Sequence, residues 1–254
     1  MPAVLCLLAS ARAQQPDEEI VAVPNRPTFS TTAETVQRGV LEVEGGYEAA
    51  SGLQDINLLL KFGPVKNLEL RVGNDPFFRF HGVAGVSDTG VGFKYRFVEQ
   101  RRWWPTTSIL YTAALPSATN DLGIGAMGHA LTLLLSKDFG KHHFDFNEAV
   151  QFIGRGTGAS GFDRDYFSAL AYSHPLGEKW GISAEIAGNS RLNLRTGGTL
   201  TLMCAFTYSK TSRLIFDFGA YGATFGDIPT VVVFSGVTYS IADLYRHHRV
   251  SAKH

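Results

Sequence analysis

Methionine and cysteine are scarce in this chain of 254 residues, with three of the first and two of the second. Two cysteines, Cys6 and Cys204, cannot staple a disulfide scaffold. Cys204 lies in the run LTLMCAFTY and reads as a small buried apolar side chain, not a reactive thiol. Charge is also sparse, 18% of residues, and balanced at 23 basic and 23 acidic groups. A zero balance without a basic stripe excludes a dedicated nucleic-acid binder. With 44% hydrophobic residues the chain is too apolar to be disordered. Long apolar runs are missing too. The longest uncharged stretch, Trp103 to Asn120, holds Pro105 and Pro116. A spanning helix needs about 20 mainly apolar residues, so none is expected. Glycine (27) and aromatics (18 Phe, 9 Tyr, 3 Trp) are plentiful instead, which leans toward β-structure.

Residues 1–13, MPAVLCLLASARA, carry an apolar stretch and the small-x-small pattern Ala11-Arg12-Ala13. They read as a signal peptide cut before Gln14. Residues 14–38 follow, with Pro24 and Pro27 among Ser and Thr, as a periplasmic tether or a plug entering a lumen.

From residue 39 the apolar signal has period 2. Leu41, Val43 and Tyr47 alternate with Glu42, Glu44 and Glu48, and Val91, Phe93, Tyr95 and Phe97 alternate with Gly92, Lys94 and Arg96. The same holds around Leu68–Val72, Trp180–Ile186, Leu214–Phe218 and Val231–Ser240. Glu148 breaks parity after Phe144-Asp145-Phe146-Asn147, and a bulge or a shorter strand is expected there. Short turns at GPVKN (63–67), Glu99–Trp104, KDFGKH (137–142), HPLGEK (174–179) and YSKTS (208–212) recur at near-constant spacing. Longer polar or Gly-rich loops lie between them: Asn74–Ser87, Pro116–Gly128, Gly154–Arg164, Asn189–Gly198 and Gly222–Pro229. Six hairpins fit this punctuation, and hence twelve strands of roughly ten residues, the length a tilted strand needs to cross a bilayer. The expected fold is all-β: an antiparallel transmembrane β-barrel over 39–242, short periplasmic turns, longer extracellular loops and a periplasmic tail over 243–254. A soluble barrel shows the same alternation with its apolar face inward. The leader, the asymmetry of the turns and the size favour the membrane form.

With the apolar face on lipid, the polar face lines the lumen. Its candidates are Glu42, Glu44, Glu48, Lys61, Glu69, Arg71, Lys94, Arg96, Lys137, Asp145, Glu185, Arg213 and Asp217. A lining so evenly mixed either pairs internally and closes the pore or leaves a polar channel without strong ion selectivity. Trp103, Trp104, Phe139, Phe144, Tyr166, Tyr172, Trp180, Tyr208 and Tyr239 are the candidates for interfacial girdles.

The stretch Arg26-Pro27-Thr28-Phe29-Ser30-Thr31, then Ala33-Glu34-Thr35-Val36 and Arg38-Gly39, runs into Leu41-x-x-Glu44-x-Gly46-Tyr47. With Ser87-Asp88-Thr89-Gly90-x-Gly92-x-Lys94-Tyr95-Arg96 and Leu135-Ser136-Lys137-Asp138-Phe139-Gly140, it resembles the bacterial outer-membrane transporter-like family labelled MetA-pathway of phenol degradation. The resemblance implies a porin-like barrel, transport of small organic compounds and no catalytic residues. The tail RHHRVSAKH departs from the terminal aromatic strand usual for such barrels.

Chemistry beyond transport finds little support. The pairs His142-His143 and His247-His248 place neighbours on opposite strand faces and make no metal site. Ser190, Asn189 and His174 supply the residue types of a hydrolase but no spacing that unites them. Gly154-Arg155-Gly156-Thr157-Gly158 opens no helix and reads as an extracellular loop. The expectation is a non-enzymatic outer-membrane porin without cofactor, passing small solutes passively, aromatic or apolar ones among them. Its partners are lipid, lipopolysaccharide and the barrel-assembly machinery. The alternatives are a closed barrel acting through its loops and a soluble periplasmic ligand-binding β-protein.

Overall fold

The computed structural model describes residues 19–156, 160–191, 197–223 and 231–245. The leader, most of the tail with His247-His248, and part of the Gly154–Gly158 motif lie outside these residues. No helix occurs among the described residues. Thirteen strands run in order: β1 (Val40–Ala50), β2 (Leu53–Val65), β3 (Leu68–Phe80), β4 (Val83–Gly85), β5 (Thr89–Val98), β6 (Thr106–Leu115), β7 (Gly128–Phe139), β8 (His142–Gly154), β9 (Phe162–Pro175), β10 (Trp180–Arg191), β11 (Gly197–Thr211), β12 (Leu214–Ala223) and β13 (Val232–Asp243).

Every pairing is antiparallel, and each strand except β4 pairs with its neighbours around a ring. The ring closes where β1 meets β13, from Val40↔Asp243 to Ala49↔Val233. Closure leaves no free edge, so the backbone of every wall strand is hydrogen-bonded on both sides. The result is a twelve-stranded barrel with one accessory strand. That strand corrects the expected loop over Asn74–Ser87. β3 continues to Phe80, turns through His81 and Gly82, and returns as β4. Both turn residues have positive φ, 47° and 90°, as a tight hairpin turn of this hand requires. The price is a short β3–β5 seam, Leu68–Gly73 against Gly90–Tyr95.

The two ends of the barrel differ. The turn end carries the connections 66–67, 99–105, 140–141, 176–179 and 212–213, and the loop end carries 51–52, 81–82, 116–127 and the connection from β8 to β9. Alternation along the strands then decides which face meets which medium. On β7, Thr132, Leu134 and Ser136 are buried while Leu131 and Leu133 are exposed. On β5, Lys94 is fully buried between exposed Phe93 and Tyr95. Leu58, Leu60, Leu70, Val72, Phe146, Leu170, Ile186, Leu202, Phe216 and Val233 continue the exposed apolar belt around the ring. A soluble barrel buries its apolar face. Here the polar face is inside and the apolar face outside, the arrangement that hydrocarbon demands. Cys204, expected to be buried, is exposed on this outer wall.

At the turn end the outer wall carries rings in contact: Phe139–Phe144 edge-on at 6.1 Å, and Phe144–Tyr172 at 5.2 Å and Trp180–Tyr208 at 4.9 Å, both tilted, between centroids. This is the amphipathic belt expected near a membrane–water boundary. Tyr166 lies at the loop end instead, because β9 runs from loop end to turn end. The β8 register is unbroken against both neighbours, so no bulge occurs at Glu148. Its carboxylate stays on the outer face and accepts the Ser168 hydroxyl at 2.5 Å.

Candidate functional site

The lumen is built by two groups of residues: the inward side chains of the wall, and residues 19–38, which precede β1 and have no regular structure. A buried irregular segment leaves its N–H and C=O groups without ladder partners, and each must find one. The wall supplies them. Val23 donates to Glu42 at 3.0 Å, Asn25 to Glu44 at 2.9 Å and Arg26 to Glu44 at 3.2 Å, all through backbone N–H. Phe29 and Ser30 donate to the two oxygens of Glu185 at 2.7 and 2.6 Å. Thr31 donates to Asn147 at 2.7 Å, Ala33 to the Ser136 hydroxyl at 2.7 Å and Val36 to Glu69 at 3.0 Å. Lumen carboxylates thus take the place that a neighbouring strand has elsewhere.

These contacts trace a path. Ala22 N–H donates to the Ser212 carbonyl at the turn end. Residues 26–31 reach mid-barrel, and Glu34 returns to Arg96 and Thr106 near the turn end. The segment is a U whose two arms point to the turn end and whose apex is Arg26–Thr31.

Cations complete the network. Lys61 Nζ sits 2.6 Å from Glu42, pairs also with Glu44 and donates to the Val23 carbonyl at 2.5 Å. Lys94 Nζ lies 3.4 Å from Glu69 and donates to the Thr32 carbonyl at 3.1 Å. Both ammonium groups are fully buried, and each is compensated by carboxylate and backbone oxygens together.

Arg26 occupies the most shaped recess. Its Nε and Nη2 form a two-pronged contact to Asp217 at 3.2 and 3.1 Å, and Nη1 donates to Asn57 Oδ1 at 2.9 Å. Asn57, Gly46, Gly236 and Asp217 are successive register partners across β2, β1, β13 and β12. A Cβ on either glycine would overlap the guanidinium. The two glycines are the floor of the recess, and Asn57 and Asp217 are its sides.

Eleven of the thirteen expected lining residues lie on inward positions: Glu42, Glu44, Glu48, Lys61, Glu69, Arg71, Lys94, Arg96, Asp145, Glu185 and Asp217. Lys137 and Arg213 do not. Lys137 shares the parity of exposed Leu131 and Leu133, and its ammonium binds the carbonyls of Arg101 and Arg102 at 2.5 and 3.2 Å. Arg213 sits in the 212–213 turn, donates to the Ser240 carbonyl at 2.7 Å and lies over the outward ring of Tyr239. Both positions are at strand ends, where polarity alone does not tell lumen from rim. Asp55, Asn57, Asp75 and Asp165 also stand on inward positions, outside the expected lining. Asp55 and Asn57 are three and two alternations from Lys61 on β2, so strict period-2 counting reaches them.

His142 and His143 point to opposite faces. His142 meets Tyr172 Oη at 2.9 Å outside, and His143 bridges Asp138 and Asp145 at 2.7 and 3.0 Å inside. Among the described residues no group of three metal-ligating side chains occurs. Ser190 and His174 lie at opposite barrel ends. Ser190 follows the Asn189↔Phe167 pair and His174 faces Ile182, a separation of about 26 Å at 3.3 Å per strand residue.

A cavity of about 1070 Å³ lies between one side of the U and the wall. Thr28, Thr32 and Thr35 line it from the segment, and Ser173, Ser183, Thr207 and Ser209 from β9–β11. It reaches from Lys66, Asn67 and Lys179 at the turn end to Arg26 at the apex.

No family model and no curated protein sequence matches the chain. Solved structures do match in fold. The NanC porin aligns at TM-score 0.61 with 11% identity, over 79% of this chain and 100% of that one. The COG4313 outer membrane channel from Pseudomonas putida F1 aligns at 0.61 with 12% identity, over 82% and 97%. The KdgM porin in complex with disordered oligogalacturonate aligns at 0.57 with 10% identity, over 79% and 99%. At such identities the likeness carries the fold: this chain is built like outer-membrane porins and channels.

Proposed function

We propose that the protein is a porin-like channel of a bacterial outer membrane, passing small solutes without chemistry on them. The observation that carries this reading is the cavity of mixed polar and apolar lining beside the U-shaped segment, which fills only part of the lumen. Residues 19–38 act as a partial plug, and solutes pass between the apex and the β9–β11 wall. The fold of the porin neighbours and the apolar outer belt support an outer-membrane location, with lipid, lipopolysaccharide and the assembly machinery as partners. Membership of the MetA-pathway of phenol degradation family, and passage of aromatic or apolar compounds with it, belong to this reading and rest on the sequence resemblance. The KdgM porin holds an oligogalacturonate, a polyanion. The carboxylate-rich lumen here argues for another class of solute.

A second reading is favoured by the buried ion pairs. With Lys61, Lys94 and Arg26 locking the segment in place, the barrel is closed and acts through its loops. Single-channel recording of the refolded protein in a planar bilayer separates the two. Discrete, reproducible steps are expected. Electrical silence from a protein that shows a heat-modifiable gel shift would overturn the channel and leave the closed barrel.

A further inference from the structure

We propose that the loop-end half of the lumen, above the apex of the U, binds small organic cations with a flat apolar body, of the class of protonated aromatic amines. As a statement of the transported solute this rests on the channel reading, whereas the binding itself does not.

The argument begins with which carboxylates are already used. In the turn-end half, Glu42, Glu44, Glu69 and Asp217 each face a lysine or arginine, and Glu185 is taken up by two backbone N–H groups. In the loop-end half, Glu48, Asp55 and Asp75 have no lysine or arginine within ion-pair distance among the described residues. Glu48 accepts only from neutral groups, Asn57 at 3.2 Å and the Tyr221 hydroxyl at 2.8 Å. Asp55 Oδ1 is buried and has no hydrogen-bond partner. Glu48 and Asp55 are register partners on β1 and β2, so their carboxylates stand side by side on the wall. Excess negative charge in a narrow lumen with low-dielectric walls concentrates cations and excludes anions.

The second observation is independent of charge. Phe29 is 40% exposed inside the barrel, on the apex of a segment whose backbone is pinned beneath it. Its ring meets Tyr221 edge-on at 4.9 Å, and Tyr221 lies 6.2 Å from Phe234. Phe234 is the register partner of Glu48. On the other side Phe78, the register partner of Asp55, stacks with Phe80 at 6.4 Å with ring planes 6° apart. Rings therefore flank the carboxylates of β1 and β2 from β12, β13 and β3; the one on β13, Phe234, is buried with the Arg26 guanidinium 5.8 Å over its ring, so the open faces are those on either side of it. An aromatic face is the negative end of a quadrupole, so rings and carboxylates attract the same ligand charge. A flat apolar body covers Phe29 and Tyr221 while its ammonium reaches Glu48 and Asp55. An inorganic cation uses the acids alone, and a neutral arene the rings alone.

The test is calorimetric titration of the folded full chain in detergent with benzylammonium chloride, with benzoate and benzyl alcohol as controls. Benzylammonium is expected to bind about tenfold tighter than benzyl alcohol, with benzoate not binding. Glu48→Gln with Asp55→Asn should weaken it by about the same factor, and Phe29→Ala by several-fold, while the heat-modifiable shift persists. In bilayers, benzylammonium should block the potassium current reversibly. Equal binding of benzoate, or unchanged benzylammonium affinity in the double variant, would overturn the site. Binding with no conductance would sink the channel reading and leave the site standing.

Discussion

Removing the Arg26 guanidinium should free the apex of the U. The guanidinium makes its two-pronged contact to Asp217 at 3.1 and 3.2 Å and a third bond to Asn57 at 2.9 Å, with side-chain exposures of 12% for Arg26 and 2% for Asp217. Deleting one partner of a buried pair costs about 3–5 kcal/mol, because the other charge stays uncompensated. The partial exposure of Arg26 places the value near the lower end. About 3 kcal/mol lowers the ratio of docked to undocked segment by about two powers of ten. Three variants reach the same contact from different elements: Arg26→Ala on the segment, Asp217→Asn on β12 and Gly46→Val on β1. All three should increase the frequency and size of open steps in single-channel recordings. The Arg26→Ala, Asp217→Asn double variant should show less than the sum of its parts, because it strands no charge. If Arg26→Ala conducts like the parent, or if Gly46→Val unfolds the barrel without changing conductance beforehand, the recess does not hold the segment.

Other outcomes follow from facing. Phe93→Arg should abolish the heat-modifiable gel shift, since an arginine at the lipid midplane costs about 2–4 kcal/mol. Lys94→Ala, one residue along, should still assemble but with a lower urea midpoint, because it leaves the buried Glu69 carboxylate without its ammonium. Glu148→Leu should raise the urea midpoint, by about 1 kcal/mol in stability, by taking a carboxylate off the hydrocarbon-facing wall. Lys137→Ala should leave ion selectivity unchanged, because its ammonium is spent on the carbonyls of the 101–104 turn.

The barrel was legible in the sequence because hydrocarbon imposes one rule on every strand. Period-2 alternation with short turns at regular spacing gave the strand count and the facing of positions such as Phe93 and Lys94. At Lys137 and Arg213 polarity misled: strict parity puts Lys137 on the outer face, where it binds turn carbonyls, and Arg213 stands in a turn and binds the carbonyls of Ser240 and Ile241 on β13. It also misled at Glu148, where a charge on the apolar face suggested a bulge that the continuous register does not contain. The recess around Arg26 was not legible. It is made of two glycines and two polar residues from four strands, 31 and 191 positions away from Arg26 at its sides. Only the register brings them into one row. The acidic, aromatic half of the lumen was half visible. Glu48 is on the expected lining, whereas Asp55 stands among Ile56 and Leu58, which mask its parity with Lys61.

The Arg26 recess straddles the line where the first and last wall strands meet. Asn57 and Gly46 stand on one side of that line, Gly236 and Asp217 on the other. A register slip of two residues on β1 would bring Glu44 or Glu48 to the place of Gly46, and the guanidinium would no longer fit. The segment that precedes β1 thus gauges the junction that closes the ring. Closing the ring and seating Arg26 become one event, and a chain with mispaired ends is left with an arginine that has nowhere to go.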